Sequence, residues 1–458
     1  MNATADDAIG PVDRAFLALA RHHQPTTGFF LDFAGPVPDG AALAARVLGR
    51  AAGLPALNLL RPAGGGRRWL RRTAAFDPAV HLRRRTDLAG PDALAAATNA
   101  LLSAPLPGAA HPPWDVWLLA EAPDPEADPQ ARGAGSVGAG SVGGGEDGES
   151  AGSSGGPTPG APGAAAARRA GFRLVLRAHH AVQDGVGAAH SALALFGDAV
   201  AAGPHPYPAR TPTPRGTLLA ASDAVRQLAG VRGWPELRAH PSGRTAWTSQ
   251  DIPVRQLRQL ADGWGTSVND VCLAGLARAV RSWRLAGAAR DCPDLPVLVA
   301  MSTRGPDQRY APGNHVVGHR LVLPSAAAGL DAAVARVRRQ TDAVRRTGTR
   351  DARRLALRLA PHGAGEWAMG YVRHAVPVGA SSVTLADELT CLGARLTGAS
   401  MFYDVHDGLL GYVSFTRAGG VVRCGIVHDA ALPRAADLPG HWRRALTTAR
   451  DAADAPPR

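Results

Sequence analysis

The run Phe172 to Ala178 (FRLVLRA) reads as a buried strand, and His179, His180, Ala181, Val182, Gln183, Asp184 and Gly185 follow it directly, giving the pattern HHxxxDG. A histidine at a strand's end, with a carboxylate four residues on and a glycine for the tight turn, can hold one imidazole tautomer and aim it into a cleft. The chemistry that fits is general-base catalysis. A bare His-His doublet is also found as two satisfied histidines without chemistry, and the chain supplies its own comparison. His22 and His23 precede Gln24, Pro25, Thr26, Thr27 and Gly28, with Thr where the acid would stand. That doublet lacks the carboxylate and is set aside. The spacing of His180 and Asp184 would also suit a metal, but no third ligand sits nearby in the sequence, so no metal is expected.

Other chemistries are excluded by what is missing. All 50 basic residues are Arg. Without lysine there is neither a Schiff-base amine nor a Walker A loop. No GxSxG nucleophile elbow occurs, since Ser136 and Ser141 each have Ala two residues before them. Gly133, Gly135 and Gly138 spell GxGxxG, but no strand precedes them and no helix follows, so the dinucleotide reading fails on context. Cys272, Cys292, Cys391 and Cys424 show no C-x-x-C spacing and read as reduced structural residues.

The elements that must position the doublet are legible in outline. Trp114 to Ala120 (WDVWLLA) and Phe172 to Ala178 read as neighbouring strands around a Gly/Ala/Ser/Pro-rich insert, 121–170, which cannot form a core. The insert reads as an elongated hairpin loop. A further strand is expected over Thr27 to Phe33, and helices over Ala41 to Ala52, Asp92 to Leu102 and from Val186 onward. From Gly203 to Gly216 five prolines interrupt regular structure and mark a linker. Beyond it, helices are expected at Val254 to Trp264, Val268 to Ala286 and Ala327 to Arg346, the last rich in Arg. Strands are expected at Leu295 to Ser302, His315 to Leu323, Leu392 to Ala399, Leu409 to Thr416 and Val421 to Val427. The reading is therefore an α/β protein with a first domain over 1–202, a connecting segment over 203–235 and a second domain over 236–458. At 458 residues and 45% hydrophobic content the chain can bury substantial cores. No apolar run approaches the ~20 residues of a membrane span, and the N-terminus lacks the features of a secretory signal, so a cytoplasmic protein is expected. The net charge of +12 suits an anionic partner, although an Ala-, Gly- and Arg-rich composition accounts for it equally well.

Around HHAVQDG the chain resembles the wax ester synthase/diacylglycerol acyltransferase family of bacterial O-acyltransferases. The resemblance runs through PVDRAF (Pro11, Asp13, Phe16), FDPAVHLRRR (Phe76, Asp77, His81), PPW (Pro113, Trp114), SGRTAW (Ser242 to Trp247), NDVCLA (Asn269, Asp270), MSTRG (Ser302, Arg304), Gly313 with Asn314, and GIVHD (Gly425 to Asp429). HHxxxDG alone would point only to the wider superfamily with chloramphenicol acetyltransferase and peptide-synthetase condensation domains. Two departures stand out. Pro105 and Leu106 are followed by PGAAH where the family has Asp-Arg, and SSVT (Ser381 to Thr384) stands where members carry an Asn-Val-Pro-Gly-Pro turn.

The resemblance implies two chloramphenicol-acetyltransferase-like domains with mixed sheets and a tunnel at their interface. It implies acyl-CoA as co-substrate with no bound cofactor, an alcohol or diacylglycerol as acceptor, and no nucleic-acid partner. His180 would be the base, with His179, Asp184 and Gly185 supporting it and Arg304 pairing with Asp184. Insoluble acceptors would bring peripheral association with an anionic membrane or lipid droplet, aided by Arg67, Arg68, Arg71, Arg72 and by Arg336, Arg338, Arg339, Arg345, Arg346. The departures leave room for a specialised or condensation-like enzyme acylating a natural-product alcohol or amine. A non-catalytic binding protein of the same fold is a third reading, disfavoured by the complete motif.

Overall fold

The computed structural model describes residues 8–20, 24–62, 66–122, 171–228, 233–361, 363, 366–367, 376, 378–405 and 409–454. Nearly all of the low-complexity insert, including its GAGSV repeats, lies outside the described residues, as does the His22–His23 doublet.

The first part of the chain forms strands β1 (Thr26–Ala34), β2 (Leu59–Leu60), β3 (Leu70–Arg71), β4 (Leu82–Leu88), β5 (Trp114–Glu121) and β6 (Gly171–His179), with helices α1 (Pro11–Leu19), α2 (Gly40–Ala51), α3 (Pro78–His81), α4 (Gly90–Ser103) and α5 (Gly185–Phe196). The second part adds helices α6 (Pro214–Leu228), α7 (Val254–Gly263), α8 (Val268–Ala286), α9 (Leu330–Thr347), α10 (Thr349–Leu359) and α11 (Leu438–Asp454). Its strands are β7 (Thr245–Pro253), β8 (Leu295–Ser302), β9 (Val316–Leu323), β10 (Val378–Thr384), β11 (Thr390–Cys391), β12 (Ala394–Tyr403), β13 (Gly411–Ala418) and β14 (Val421–Asp429). Helix α6 begins at Pro214, inside the stretch expected to be irregular; proline is tolerated in a first turn because its missing N–H has no partner there anyway.

Two six-stranded mixed sheets result, one in the order β11-β12-β1-β6-β5-β4 and one in the order β7-β14-β13-β10-β8-β9. The chain expected to divide at the Pro-rich segment interleaves instead. Strands β11 and β12, from the second part, complete the first sheet, where β12 pairs antiparallel with β1, Thr27 opposite Tyr403. The sequence carries no sign of this, because an apolar strand does not record which sheet it joins. One core gathers Phe29, Phe30, Trp114, Leu174 and Phe402, and a second gathers Val271, Leu276, Phe415, Ile426 and Trp442.

Beside the seam, Ser414 Oγ donates to the Met401 carbonyl at 2.6 Å, the Met401 N–H donates to Thr416 Oγ1 at 2.8 Å, and Arg423 reaches across to Asp32 as well as to Asp251. All four cysteines are free and buried. Among the described residues no helix is long and apolar enough to cross a membrane.

Strands β5 and β6 pair antiparallel, with Ala120 opposite Phe172, so the insert's two ends leave adjacent strands of one hairpin. Deleting Glu126 to Ala165 leaves the paired residues of β5 and β6 in place, and loop closure changes by only about 0.6 kcal/mol per doubling of length. The deletion is expected to leave melting temperature and turnover at parental values. Damage to both would make the insert a functional lid.

The arginines of α9 are largely compensated. Arg336 pairs with Asp294, Arg338, Arg345 and Arg346 surround Asp342, and Arg345 also approaches Asp270 at 3.6 Å. Exposed pairs of this kind add at most about 1 kcal/mol each, but they remove most of the free positive charge that the spacing of these arginines in the sequence promised.

Candidate active site

The buried strand β6 ends at His179, and the chain then turns tightly into α5. Asp184 caps that helix, its Oδ1 accepting from the Gly187 N–H at 2.7 Å; such a cap satisfies a donor that the first helical turn cannot. The helix needs Gly185, since a Cβ there would lie 2.4 Å from Met401 Sδ of β12. A Cβ on Gly187 would meet the Arg304 guanidinium at 2.7 Å.

Asp184 is held from three sides. Arg304 Nε lies 3.0 and 3.1 Å from its two oxygens, and the His315 N–H donates to Oδ2 at 2.8 Å. Burial alone would push this carboxyl up. The Arg304 charge and the hydrogen bonds from Arg304, Gly187 and His315 outweigh burial and hold it below the ordinary carboxylate range. Arg304 spends its remaining donors on carbonyls, Nη1 on Gln308 and Ala311 and Nη2 on Gly313 at 2.8 Å. This buried pair ties the turn after β6 to the loop between β8 and β9. It sets geometry and does not act as an acid, because Arg304 keeps the carboxylate charged.

His179 is fully buried and its Nδ1 accepts from the Ala181 N–H at 3.1 Å, which places its ring proton on Nε2. Burial, with smaller pushes from the Arg61 and His180 charges, lowers it to about 3. It shapes the turn. His180 is the residue that faces the seam between the sheets. Its ring stacks on Phe16 of α1 at 4.2 Å and meets the Tyr403 ring of β12 edge-on at 5.0 Å. Its backbone N–H donates to the Pro25 carbonyl at 2.8 Å, and its carbonyl accepts from Asn314 Nδ2 at 2.7 Å. Burial pushes the imidazole down to about 4, against smaller opposing pulls from its own main chain, Asp184 and Asn314. It is neutral at pH 7 and able to accept a proton.

Asn314 also donates through Nδ2 and its backbone N–H to Asp13 Oδ1, both at 2.8 Å. Asp13 and Phe16 stand one turn apart on α1, so a single helix face grips the His180 turn twice. Gly313 makes the close approach possible: its φ is +84°, and its N–H donates to the Val182 carbonyl at 2.8 Å.

The sequence-derived site residues thus fall into separate groups. His179, His180, Asp184, Gly185, Arg304 and Asn314 come together. Ser302 stands just behind them, its Oγ accepting from the Arg304 N–H at 3.2 Å. Pro113 accepts the His179 N–H at 2.9 Å, and Trp114 is fully buried with Nε1 donating to the Leu57 carbonyl at 2.8 Å, so both support β6 from the adjacent strand. Asn269 and Asp270 do not join. They open α8, where Asp270 completes a capping box with Ser267, Oγ to Oδ2 2.6 Å, and accepts from Thr266. Their family-like spacing marks a helix start. Tyr403 and Met401 escaped the sequence reading because strand β12 lies about 220 residues from the motif in the chain, and only its exchange into the first sheet brings them there. Among the described residues no group of three or more His, Cys, Asp or Glu is placed to hold a metal ion.

Three buried imidazoles make folding pH-sensitive. His179 is lowered to about 3 and His180 to about 4; burial, reinforced by Arg309 and Arg304, lowers His190 of α5 to about 4. The unfolded chain takes up their protons near pH 6.5 while the folded chain does not. Stability is therefore full above pH 6.5 and falls as pH drops below it, by up to ~1.4 kcal/mol per pH unit for each histidine. Thermal unfolding is expected to show a lower melting temperature at pH 5 than at pH 7. An unchanged value would contradict the enclosure of these rings.

No family model matches this chain, and no curated protein matches it. Solved structures do. The wax ester synthase/diacylglycerol acyltransferase from Marinobacter aquaeolei VT8 is similar with TM-score 0.62 and 20% identity, the match covering 98% of this chain and 100% of that one. The first condensation domain of the CDA synthetase is similar with TM-score 0.57 and 17% identity over 99% and 97% of the two chains. A mutant starter condensation domain of rhizomide synthetase, solved in complex with C8-CoA and Leu-SNAC, is similar with TM-score 0.56 and 16% identity over 98% and 95%. The chain has the two-lobed acyltransferase-type fold these proteins share, over essentially its whole length.

Proposed function

We propose that the chain transfers a fatty acyl group from acyl-CoA to the hydroxyl of a long-chain alcohol or a diacylglycerol, with His180 as general base. The observation that carries this reading is the placement of His180. A neutral imidazole stands between Phe16 and Tyr403 at the seam of the two sheets, on a turn locked by the Asp184–Arg304 pair and the Asn314 amide. In the proposed step His180 Nε2 takes the acceptor hydroxyl proton as that oxygen attacks the thioester carbonyl. The C–S bond then breaks, and the thiolate of CoA leaves with the proton returned from His180. No acyl-enzyme forms and no bound cofactor takes part. The likeness to acyltransferase structures supports this class of reaction.

A second reading, acylation of a natural-product alcohol or amine, is favoured by PGAAH after Leu106, by SSVT at Ser381 to Thr384, and by the likeness to condensation domains over nearly the whole chain. Incubation with palmitoyl-CoA and hexadecanol, diacylglycerol or a polar amine, followed by free-thiol release, separates the two. Release dependent on hexadecanol or diacylglycerol supports the first; release with the amine alone overturns it. A lipid acceptor would be met at a lipid surface. Leu218 and Val225 on α6 and Leu355 and Leu359 on α10, all exposed and interspersed with Arg215, Arg354 and Arg358, support peripheral association there.

A further inference from the structure

The loop joining β8 to β9, residues 303–315, supplies several of the grips on the catalytic turn. Arg304 pairs with Asp184, the Gly313 N–H reaches the Val182 carbonyl, Asn314 holds the His180 carbonyl, and the His315 N–H reaches Asp184. Apart from one short turn, Pro306–Gln308, this loop has no regular structure. An irregular connection is more mobile than the elements it joins, and a misplacement of about 1 Å at a catalytic group can cost ~10²-fold in rate. A loop with this task needs a brace.

The Pro-rich segment that reads as a linker in the sequence is placed to be that brace. Residues 202–213 form neither helix nor strand, yet they are bonded at successive points to the loop and to the start of α10. The Ala202 carbonyl accepts from Arg309 Nη2 at 2.7 Å, and the Tyr207 N–H donates to the Arg304 carbonyl at 2.7 Å. The Tyr207 hydroxyl then donates to Asp351 Oδ2 at 2.6 Å, the Arg210 N–H to Oδ1 of the same carboxylate at 3.0 Å, and Thr213 Oγ1 to the Thr347 carbonyl at 3.0 Å.

Tyr207 is the crossing point of these bonds. Its main chain holds Arg304 and its side chain holds Asp351 of α10, a carboxylate only 1% exposed, which Arg354 approaches at 3.8 Å. The Arg350 guanidinium lies over the Tyr207 ring at 4.3 Å and donates to the Ser302 carbonyl at 3.3 Å. The backbone is thus held on both sides of Thr303, at Ser302 by α10 and at Arg304 by the Pro-rich segment. Pro206 and Pro208 flank the tyrosine and restrict the backbone on either side of it, so the brace is stiff. Burial, the bond to Asp351 and the Asp351 charge push the phenol up to about 12, so it remains a donor at neutral pH.

We infer that Tyr207 is a positioning residue: together with Asp351 it clasps the Pro-rich segment and the β8–β9 loop to α10, and so keeps Arg304, and through Arg304 the Asp184–His180 turn, at catalytic spacing. Tyr207 acts through Arg304 and not on the reacting groups. The inference rests on the acyl-transfer reading above for its rate measurement, and the accompanying measurement of loop opening does not depend on that reading.

The test is Tyr207→Phe, which removes one hydroxyl and keeps the main-chain bond to Arg304. Thiol release from palmitoyl-CoA is followed with whichever acceptor supports it in the wild type, and amide hydrogen exchange is followed over residues 303–315. The expected result is kcat lower by about tenfold, KM for both substrates changed by less than about twofold, and faster exchange over the loop. Asp351→Ala should show the same pattern, and the double variant should lose no more kcat than the more damaging single change, as two ends of one contact do. Thr213→Val, which cuts the bond to the Thr347 carbonyl away from Arg304, should keep parental kcat. Parental kcat in Tyr207→Phe, with only a lower melting temperature, would overturn the inference by reducing the clasp to a stabilising contact. A raised KM at parental kcat would overturn it by assigning the segment to substrate binding. If the wild-type protein releases no thiol with any acceptor, the acyl-transfer reading fails and exchange alone decides the clasp: faster exchange in Tyr207→Phe supports it, and unchanged exchange overturns it.

Discussion

His180→Ala is expected to abolish thiol release while the protein stays folded. A positioned base is worth ~10²- to 10⁴-fold, and the neighbouring His179 cannot take over, because it is fully enclosed with its Nδ1 committed to the Ala181 N–H. The fold should survive because His180 is tied in mainly through its backbone, to the Pro25 carbonyl and the Asn314 amide, and both contacts persist in alanine. His179→Ala is expected to be milder in turnover, with its cost appearing as lower stability where a buried ring is removed. Thiol release and circular dichroism on both variants check this. Wild-type release from a folded His180→Ala protein would show that the mechanism assigned here is wrong.

Asp184→Asn is expected to cost both stability and activity. The substitution keeps the size of the side chain and its ability to cap α5, and removes only the charge that compensates Arg304. Arg304 is 2% exposed, so it cannot turn to water for compensation. Breaking a buried pair from one side costs about 3–5 kcal/mol, more than most single surface changes. Activity should fall with stability, because the same carboxylate fixes the His315 backbone and the start of α5 beside His180. Replacing both partners, Asp184→Leu with Arg304→Met, should recover part of the lost melting temperature without recovering turnover. A single Asp184→Asn variant with parental melting temperature would mean that the pair carries no stabilising charge interaction.

The sequence made some of this legible and hid the rest for identifiable reasons. Helix α8 and strand β8 are found where the apolar spacing put them, Val268–Ala286 and Leu295–Ser302, because each carries an unbroken pattern and a clear boundary, Ser267 at the start of one and Gly305 beyond the other. Strand β4 (LRRRTDL) was missed because it is an edge strand whose arginines face solvent and carry no apolar alternation. Strand β7 (TAWTSQDIP) was missed because it is half-buried along most of its length. Helix α10 hid behind its arginines. At the site, HHxxxDG and Arg304 could be read because the turn and its residues are local or carry a motif. The clamp of Asp13 on Asn314 could not: the two stand 301 residues apart, and neither residue type alone implies a hydrogen bond across the molecule.

The exchanged strand has a consequence for the order in which the chain can fold. Strand β1 is made early, yet one of its two neighbours, β12, is not complete until Tyr403. During synthesis the first sheet can pair β1 with β6 and β6 with β5, but the other edge of β1, carrying Phe29, Phe30 and Leu31, stays open while more than 200 further residues are added. Closing it is a contact of very long sequence separation, the kind that forms slowly. Until then the nascent protein holds a row of unpaired main-chain donors and acceptors beside a strongly apolar strand, a surface open to mispairing or to capture by chaperones. A chain ended before β12 would keep that edge permanently. Since β12 also brings Tyr403 to His180, completion of the sheet and assembly of the active site are one late event.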